Sequence, residues 1–327
     1  MTAGQHGGRV LLGDIGGTNA RFAILEKGEI GHAKTLSVTA HDTAIDAIAA
    51  YLSGLPQGQG PSGAALACAG PIEGGSVAMT NSPWRLETTE IERHFGFARV
   101  LLANDFAAQA WAVPRLGSAT RHAIGGGVAK AEQPVMVLGP GTGLGVASYL
   151  PPPQGPAVLV GEGGHATMPA TNDREAAVLA ALRARFGHAS AERVLSGEGL
   201  VQLHETLAGL EHRTVAQRSA AEIAEAAGAR TCKHCQVTLD LFCAMLGGFA
   251  GNLALALGAK GGVYIAGGIA PRILDYLTAS KFRERFEAKG RFKSYLAAIP
   301  TWVVTHPTPA FLGLVELLSQ EDGVRRR

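Results

Sequence analysis

A chain of 327 residues is longer than one typical core requires, so two domains are expected. Its 46% hydrophobic and 17% charged residues describe a folded globular protein and exclude a disordered one. The net charge of +2, with no basic run longer than Arg325-Arg326-Arg327, speaks against nucleic acid as the main partner.

In chain order, residues 9–38 read as a meander of strands that turns at Glu26-Lys27-Gly28-Glu29. Its first turn, Gly13-Asp14-Ile15-Gly16-Gly17-Thr18, joins the apolar runs Val10-Leu11-Leu12 and Phe22-Ala23-Ile24-Leu25. No long apolar stretch precedes Val10, so a signal peptide is not expected. Apolar spacing predicts a helix over His41–Leu52, with Thr39 or Asp42 as cap. Ala64–Cys68 is a short buried strand ending at Ala69-Gly70-Pro71, Val77–Asn81 a further strand, and Ile91–Phe95 a helix. Val100–Ala103 is a buried strand that stops at Asn104-Asp105, and Phe106–Val113 continues as a helix up to Pro114. Weakly patterned and rich in glycine, Gly117–Gln133 is read as the crossing between domains.

A second strand–turn–strand unit follows: Val135–Leu138, Gly139-Pro140-Gly141-Thr142-Gly143, then Val146–Tyr149. Pro151–Pro153 marks an exposed loop, and helical patterns cover Glu175–Phe186, Ala220–Gly228 and Cys235–Leu257. By length alone the last could span a membrane, but Asp240, Gly247, Gly248, Gly251 and Asn252 interrupt it, and a buried core helix is expected. Gly261–Gly268 is a buried strand closed by a glycine turn, and Pro271 stands where a helix begins. A strand over Thr301–Val304 and a helix over Ala310–Leu318 complete an α/β reading of mixed sheets with covering helices.

The two glycine turns carry the chemistry. Glycine lets the backbone approach a ligand with no Cβ in the way, and successive N–H groups in such a turn form an anion-binding concavity. Thr18 and Thr142 add hydroxyls, so two turns of one design could clamp a polyphosphate. Asp14 inside the first turn calls for a cation beside it. No G-x-x-x-x-G-K-[ST] or G-x-G-x-x-G occurs, which excludes a P-loop and argues against a dinucleotide fold. Either turn alone would pass as an ordinary hairpin.

Asp105, where a strand ends and a helix starts, is placed to take a proton from a hydroxyl attacking phosphorus, or else to cap a helix beginning at Ala107. Gly161-Glu162-Gly163-Gly164-His165 presents a carboxylate and an imidazole on a flexible turn, suited to a polyol, though a lone loop histidine is often only surface. Glu192, in Ser190-Ala191-Glu192-Arg193, falls in a predicted first helical turn where it could merely complement the macrodipole, and Glu198 competes with it. Gly267-Gly268 could lie flat against a nucleobase. Cys232-Lys233-His234-Cys235 lacks the second pair that a structural zinc needs and reads as thiols opening a helix. With Cys68 and Cys243 it makes four cysteines, read as reduced.

In this order, from about Val10 to Leu318, these motifs resemble the bacterial glucokinases, the ATP-dependent, zinc-free type within the actin, sugar kinase and heat-shock ATPase superfamily. The runs Gly13–Arg21 and Ser190–Gly197 carry most of the likeness. The resemblance implies a two-domain actin-like ATPase (ribonuclease H-like) fold, with a cleft between a small domain (1–115 plus 306–327) and a large one (116–305). It implies that Gly13, Asp14, Ile15, Gly16, Gly17 and Thr18, with Gly139, Gly141, Thr142 and Gly143, hold the ATP phosphates, and that Gly267 and Gly268 flank the adenosine. It further implies that Asn104, Asp105, Glu162, His165 and Glu192 hold glucose, with Asp105 as base and Asp14 holding Mg²⁺ through water. Glu192 is preferred to Glu198 on the Ser-Ala-Glu-Arg match. A sister family of repressors and kinases places three zinc cysteines after its Gly-Gly-His turn; here no cysteine falls between Cys68 and Cys232, so no structural zinc is expected, nor is a DNA-binding helical pair. Glucose 6-phosphate and ADP are the expected products, made by a cytoplasmic homodimer that binds neither nucleic acid nor membrane. A kinase of another hexose or N-acetylhexosamine, or a non-catalytic sugar sensor, are the alternatives.

Overall fold

The alternation at Val10–Leu12 builds a strand that buries side chains on both faces, and the rest of the N-terminal half assembles around it. A computed structural model describes residues 8–56, 60–80, 82–153 and 156–325. The chain divides into two units, Met1–Leu116 with Pro307–Arg327, and Gly117–His306.

The first unit runs β1 (Val10–Ile15), β2 (Asn19–Glu26), β3 (Glu29–Ser37), α1 (Ala44–Ser53), β4 (Gly63–Cys68), β5 (Ile72–Glu73), β6 (Ser76–Ala78), β7 (Arg85–Glu87), α2 (Thr88–Phe95), β8 (Arg99–Asn104) and α3 (Asp105–Trp111). Its main sheet is ordered β3-β2-β1-β4-β8, and β5-β6-β7 form a small separate sheet. The hairpin β1–β2 is antiparallel, whereas β1, β4 and β8 run parallel. Leu11 and Ile15 pack on one face with Ile48, Tyr51 and Trp84; Val10 and Leu12 pack on the other with Ala65 and Ala67. Phe311, Leu314, Val315 and Leu318 of the C-terminal helix, Pro309–Arg325, cover that second face. Two covered faces explain the continuous apolar runs Val10–Leu12 of β1 and Ala64–Cys68 of β4.

Three expectations are corrected here. Helix α1 starts at Ala44 and is capped by Thr43, which forms a capping box with Asp46, so neither Thr39 nor Asp42 is the cap. The strand expected over Val77–Asn81 is Ser76–Ala78, and Asn81 lies outside the described residues. Helix α3 begins at Asp105 itself, with Asn104 as its N-cap.

The second unit runs β9 (Arg121–Ala123), β10 (Val135–Pro140), β11 (Leu144–Leu150), β12 (Ala157–Gly161), α4 (Asp173–Phe186), α5 (Gly197–Leu210), α6 (Ala220–Gly228), α7 (Lys233–Leu257), β13 (Gly262–Ile265), α8 (Leu274–Ala279), α9 (Phe282–Glu287), α10 (Lys293–Ala297) and β14 (Thr301–Val304). Its sheet is ordered β12-β11-β10-β13-β14-β9. Part of the supposed crossing, Gly117–Gln133, is therefore an edge strand, β9 pairing antiparallel with β14. Helix α7 is long and apolar enough to cross a membrane, yet two-thirds of its most apolar window (67%) is buried inside the protein. The glycines that interrupt it let α9 approach: a Cβ at Gly247 would stand 2.0 Å from the Phe282 carbonyl oxygen.

Candidate active site

In the first unit, parallel register places Ile15, Cys68 and Asn104 side by side at the carboxyl ends of β1, β4 and β8, the edge where open α/β sheets bind ligands. Burial, then Asp105 and Asp14, push the Cys68 thiol well above the usual range, which puts both carboxylates near the same sulfur. Asn104 is occupied structurally. Its Oδ1 accepts the N–H groups of Phe106 (2.9 Å) and Ala107 (3.1 Å), and its Nδ2 donates to the Gly70 carbonyl (3.3 Å). The capping alternative considered for Asp105 is thus met by its neighbour, while Asp105 Oδ1 accepts the Phe106 N–H at 2.9 Å.

In the first glycine turn, the Gly16 N–H folds back onto the Asn19 carbonyl at 3.0 Å. Among the described residues, the N–H groups of Gly17 and Thr18 meet no acceptor. One cation already stands beside Asp14: Arg21, its partner across the β1–β2 hairpin, donates Nη1–H to Asp14 Oδ2 at 3.1 Å. Burial raises the Asp14 carboxyl above its ordinary value, and Arg21 opposes the rise. Sequence spacing hid this pair because it forms only when the hairpin sets its register.

The second glycine turn repeats the design. Gly141 N–H bonds the Gly143 carbonyl at 2.8 Å, and among the described residues the Thr142 and Gly143 N–H groups have no acceptor. Two bonds strap this turn to the segment 192–197: Gly197 N–H to the Gly141 carbonyl, and Leu144 N–H to Glu192 Oε2, both 2.8 Å. Gly267 abuts it from β13, with φ +77° and a virtual Cβ only 2.4 Å from the Pro140 oxygen, so no other residue fits. Beside Gly268 the space is open.

Glu162, His165 and Glu192 gather next to this turn. His165 Nε2 is 3.9 Å from Glu162 Oε2, and its Nδ1 is 3.9 Å from Glu192 Oε1. Glu162 and His165 are exposed, and Glu192 is one-third exposed. The expected flexible turn is a defined 3-10 turn, Gly163–His165, pressed so hard on β11 that a Cβ at Gly164 would stand 2.1 Å from the Leu144 oxygen. Glu192 lies in a single helical turn, closed by the Leu195 N–H on the Ala191 carbonyl at 2.8 Å, that does not continue into a helix. Its backbone bonds Gly164 at 2.9 Å, and α5 starts five residues later. The carboxylate in the first turn of α5 is Glu198, which is taken up by Gln202 at 2.6 Å and faces Arg193 at 3.5 Å. Free N–H groups in a glycine turn suit an anion. Adjoining carboxylates and an imidazole suit vicinal hydroxyls.

Over residues 11–321 the sequence matches the family model described as glucokinase. The chain belongs to the glucokinase family. It is 46% identical to the glucokinase of Paramagnetospirillum magneticum over 312 residues, covering 95% of this chain and 97% of that one. It is 43% identical to the glucokinase of Klebsiella pneumoniae, covering 96% and 98%. A crystal structure of glucokinase from an Antarctic psychrotroph superposes with a TM-score of 0.84 at 38% identity, covering 95% and 98%. A ROK family glucokinase from Streptomyces griseus, in complex with glucose and AMPPNP, matches with a TM-score of 0.65 at 20% identity, covering 95% and 99%, and at that distance shows the fold alone. That fold is the actin-like ATPase fold of the sugar kinases. Glucokinase family membership brings use of ATP, and generally of a divalent metal, to this chain.

Proposed function

We propose that the protein transfers the γ-phosphoryl group of ATP to the 6-hydroxyl of glucose, giving glucose 6-phosphate and ADP. The observation that carries this reading is the position of Glu192, one oxygen on the N–H that follows the second glycine turn and the other facing His165. An anion cradle and a polyol-binding set share one carboxylate.

The N–H groups of Gly17, Thr18, Thr142 and Gly143, with both threonine hydroxyls, bind the phosphates, and the adenosine lies along Gly267-Gly268. Asp105 accepts the 6-hydroxyl proton as the new O–P bond forms and the bond from the γ-phosphorus to the β–γ bridging oxygen breaks. Asn104 sets the start of α3, and its remaining donor capacity serves the sugar. Glu162, His165 and Glu192 hold the other hydroxyls. A sugar with a misplaced hydroxyl leaves these polar groups unpaired, which makes such a site selective. Phosphoryl transfer depends mainly on positioning and charge neutralisation, which fixed backbone donors supply without reorganisation.

Asp14 fits a water-mediated Mg²⁺, an ion that keeps much of its hydration and takes one or two carboxylates plus phosphate oxygens rather than a full protein cage. Among the described residues no three His, Cys, Asp or Glu side chains converge into such a cage. When bound with ATP, Mg²⁺ supplies charge neutralisation at the β- and γ-phosphates. Arg21, 3.1 Å from Asp14 Oδ2, aims that carboxylate and opposes the rise that burial imposes on it. Family likeness further supports a cytoplasmic homodimer.

The test is ADP release measured with glucose, mannose, fructose, N-acetylglucosamine and no sugar, each with and without Mg²⁺. Mg²⁺-dependent release with glucose well above the others is expected. Faster turnover of another sugar, or sugar binding without ADP release, would replace this assignment.

A further inference from the structure

Cys232-Lys233-His234-Cys235 takes no part in the reaction above, yet the fold arranges it with care. Cys232 is the N-cap of the 25-residue helix α7, and its Sγ accepts the Cys235 N–H at 3.4 Å. The two thiols therefore sit on one face of the first turn. Cys232 is partly exposed and Cys235 is buried. Behind Cys235 lies a pair of imidazoles. His204 Nε2, from α5, is 3.8 Å from Cys235 Sγ; the His204 and His234 rings meet edge to face, centroids 4.5 Å apart; and His234 Nε2–H donates to the His204 carbonyl at 2.8 Å.

Environment splits the two thiols. Hydrogen bonds from the Cys235 side chain and backbone favour a Cys232 thiolate, with Arg218 adding positive potential. Burial pushes the Cys235 thiol up to about 11, and its bond to Cys232 reinforces that. Burial, His234 and Arg218 hold His204 below the usual histidine value, which favours the neutral ring, its Nε2 3.8 Å from Cys235 Sγ. Cys68 and Cys243 are buried without such neighbours and serve as internal references. A partly exposed, hydrogen-bonded thiol at a helix N-terminus with a buried second thiol three residues on is the arrangement that makes cysteines reactive in exchange.

We propose that Cys232 and Cys235 form a dithiol–disulfide centre that exchanges with low-molecular-weight disulfides. The Cys232 thiolate attacks one sulfur of the small disulfide, an S–S bond forms to Cys232, and one small thiolate leaves. Cys235 then passes its proton to His204 Nε2 and attacks Cys232 Sγ, releasing the second small thiolate. Two protein thiols are oxidised by two electrons and one small disulfide is reduced to two thiols, which take up the protons. His204 is a positioning and proton-holding residue for the second step.

The experiment exposes the full-length native protein to oxidised glutathione and follows each cysteine by intact mass and peptide mapping. Wild type is expected to lose two hydrogens and yield a Cys232–Cys235 disulfide, with Cys68 and Cys243 untouched. Cys235→Ser stops at a mixed disulfide on Cys232, Cys232→Ser yields neither product, and His204→Gln slows closure about tenfold or more. A measurement without variants accompanies these: alkylation of wild-type Cys232 against pH, with a midpoint expected below the ~8.5 of a free cysteine. Native Cys232 no faster than Cys68 and Cys243, a midpoint at or above that of a free thiol, or a mixed disulfide that never closes in wild type would overturn the proposal.

Discussion

Replacing Gly143 with alanine tests the link between the phosphate turn and the sugar set. Gly143 has no left-handed backbone requirement, so alanine is tolerated there by the chain itself. The new Cβ would lie 2.5 Å from Glu192 Oε2 and 3.3 Å from its Cδ. To reach an ordinary separation of ~3.5 Å, the oxygen must retreat by about 1 Å. The side chain can swing away from the new methyl, so the fold is kept and the melting temperature should fall by only the few degrees that one lost hydrogen bond costs. The 2.8 Å bond from Leu144 N–H to Glu192 cannot survive such a shift. A hydrogen bond to a charged group contributes ~1.5–3 kcal/mol, so the apparent affinity for glucose should fall about 10- to 150-fold. Steady-state kinetics with glucose varied at saturating ATP read the effect. The decisive control is the cycle with Glu192→Ala: once the carboxylate is gone, Gly143→Ala should no longer change the KM for glucose. A rise in the KM for ATP alone, or an equal glucose effect in the Glu192→Ala background, would refute the coupling.

Four further outcomes follow from the geometry. Asp105→Asn should lower kcat by about 10²–10⁴-fold with far less change in glucose binding, because an amide cannot take the 6-hydroxyl proton; pre-steady-state kinetics and glucose titration separate the two. Gly267→Ala forces a side chain onto φ +77° and against the Pro140 oxygen, which costs about 1–3 kcal/mol and should lower Tm in a thermal melt while raising the KM for ATP. Arg285→Met strips the counterion from Glu175, whose side chain is 1% exposed and lies 2.7 Å from the guanidinium, and should destabilise by ~3–5 kcal/mol, with Glu175→Gln partly rescuing the double variant in urea unfolding. The same pair sets a pH dependence. Burial would raise the Glu175 carboxyl, but Arg285 and Thr171 outweigh it and hold it below its ordinary value. The folded group thus ionises at lower pH than the unfolded one, so its stabilisation is complete above the ordinary glutamate range of ~4.3 and is lost as pH falls through the native value. Glu175→Gln should therefore make acid unfolding shallower below about pH 4.5.

Much of this site was legible in the residues themselves. Both glycine turns sit between short apolar runs that read as hairpin strands, and Asp105 follows the short apolar run that forms β8. What stayed hidden depends on partners distant in sequence or on a single hydrogen bond. Arg21 neutralises Asp14 through hairpin register, and the choice of Thr43 over Thr39 and Asp42 as cap turns on which oxygen reaches the Asp46 N–H. The turn at Glu192 is isolated rather than the first of a longer helix, which the sequence does not reveal because Gly197 and Gly199 weaken the pattern of α5, whose apolar face, Leu200, Leu203 and Leu207, starts only after them. Three residues of β9 are too few for alternation to register at all.

The C-terminal helix has a consequence for how the polypeptide is made. Ribosomes deliver β1 first, yet Val10, Leu12, Ala65 and Ala67 are covered on one face by Phe311, Leu314 and Leu318. That face of the first unit's sheet thus waits uncovered until residues 309–318 have been made, while Gly117–His306 already has its whole sequence available for folding. Nascent chains halted just before Pro309 should bind chaperones through that bare sheet, and extension past Leu318 should free them.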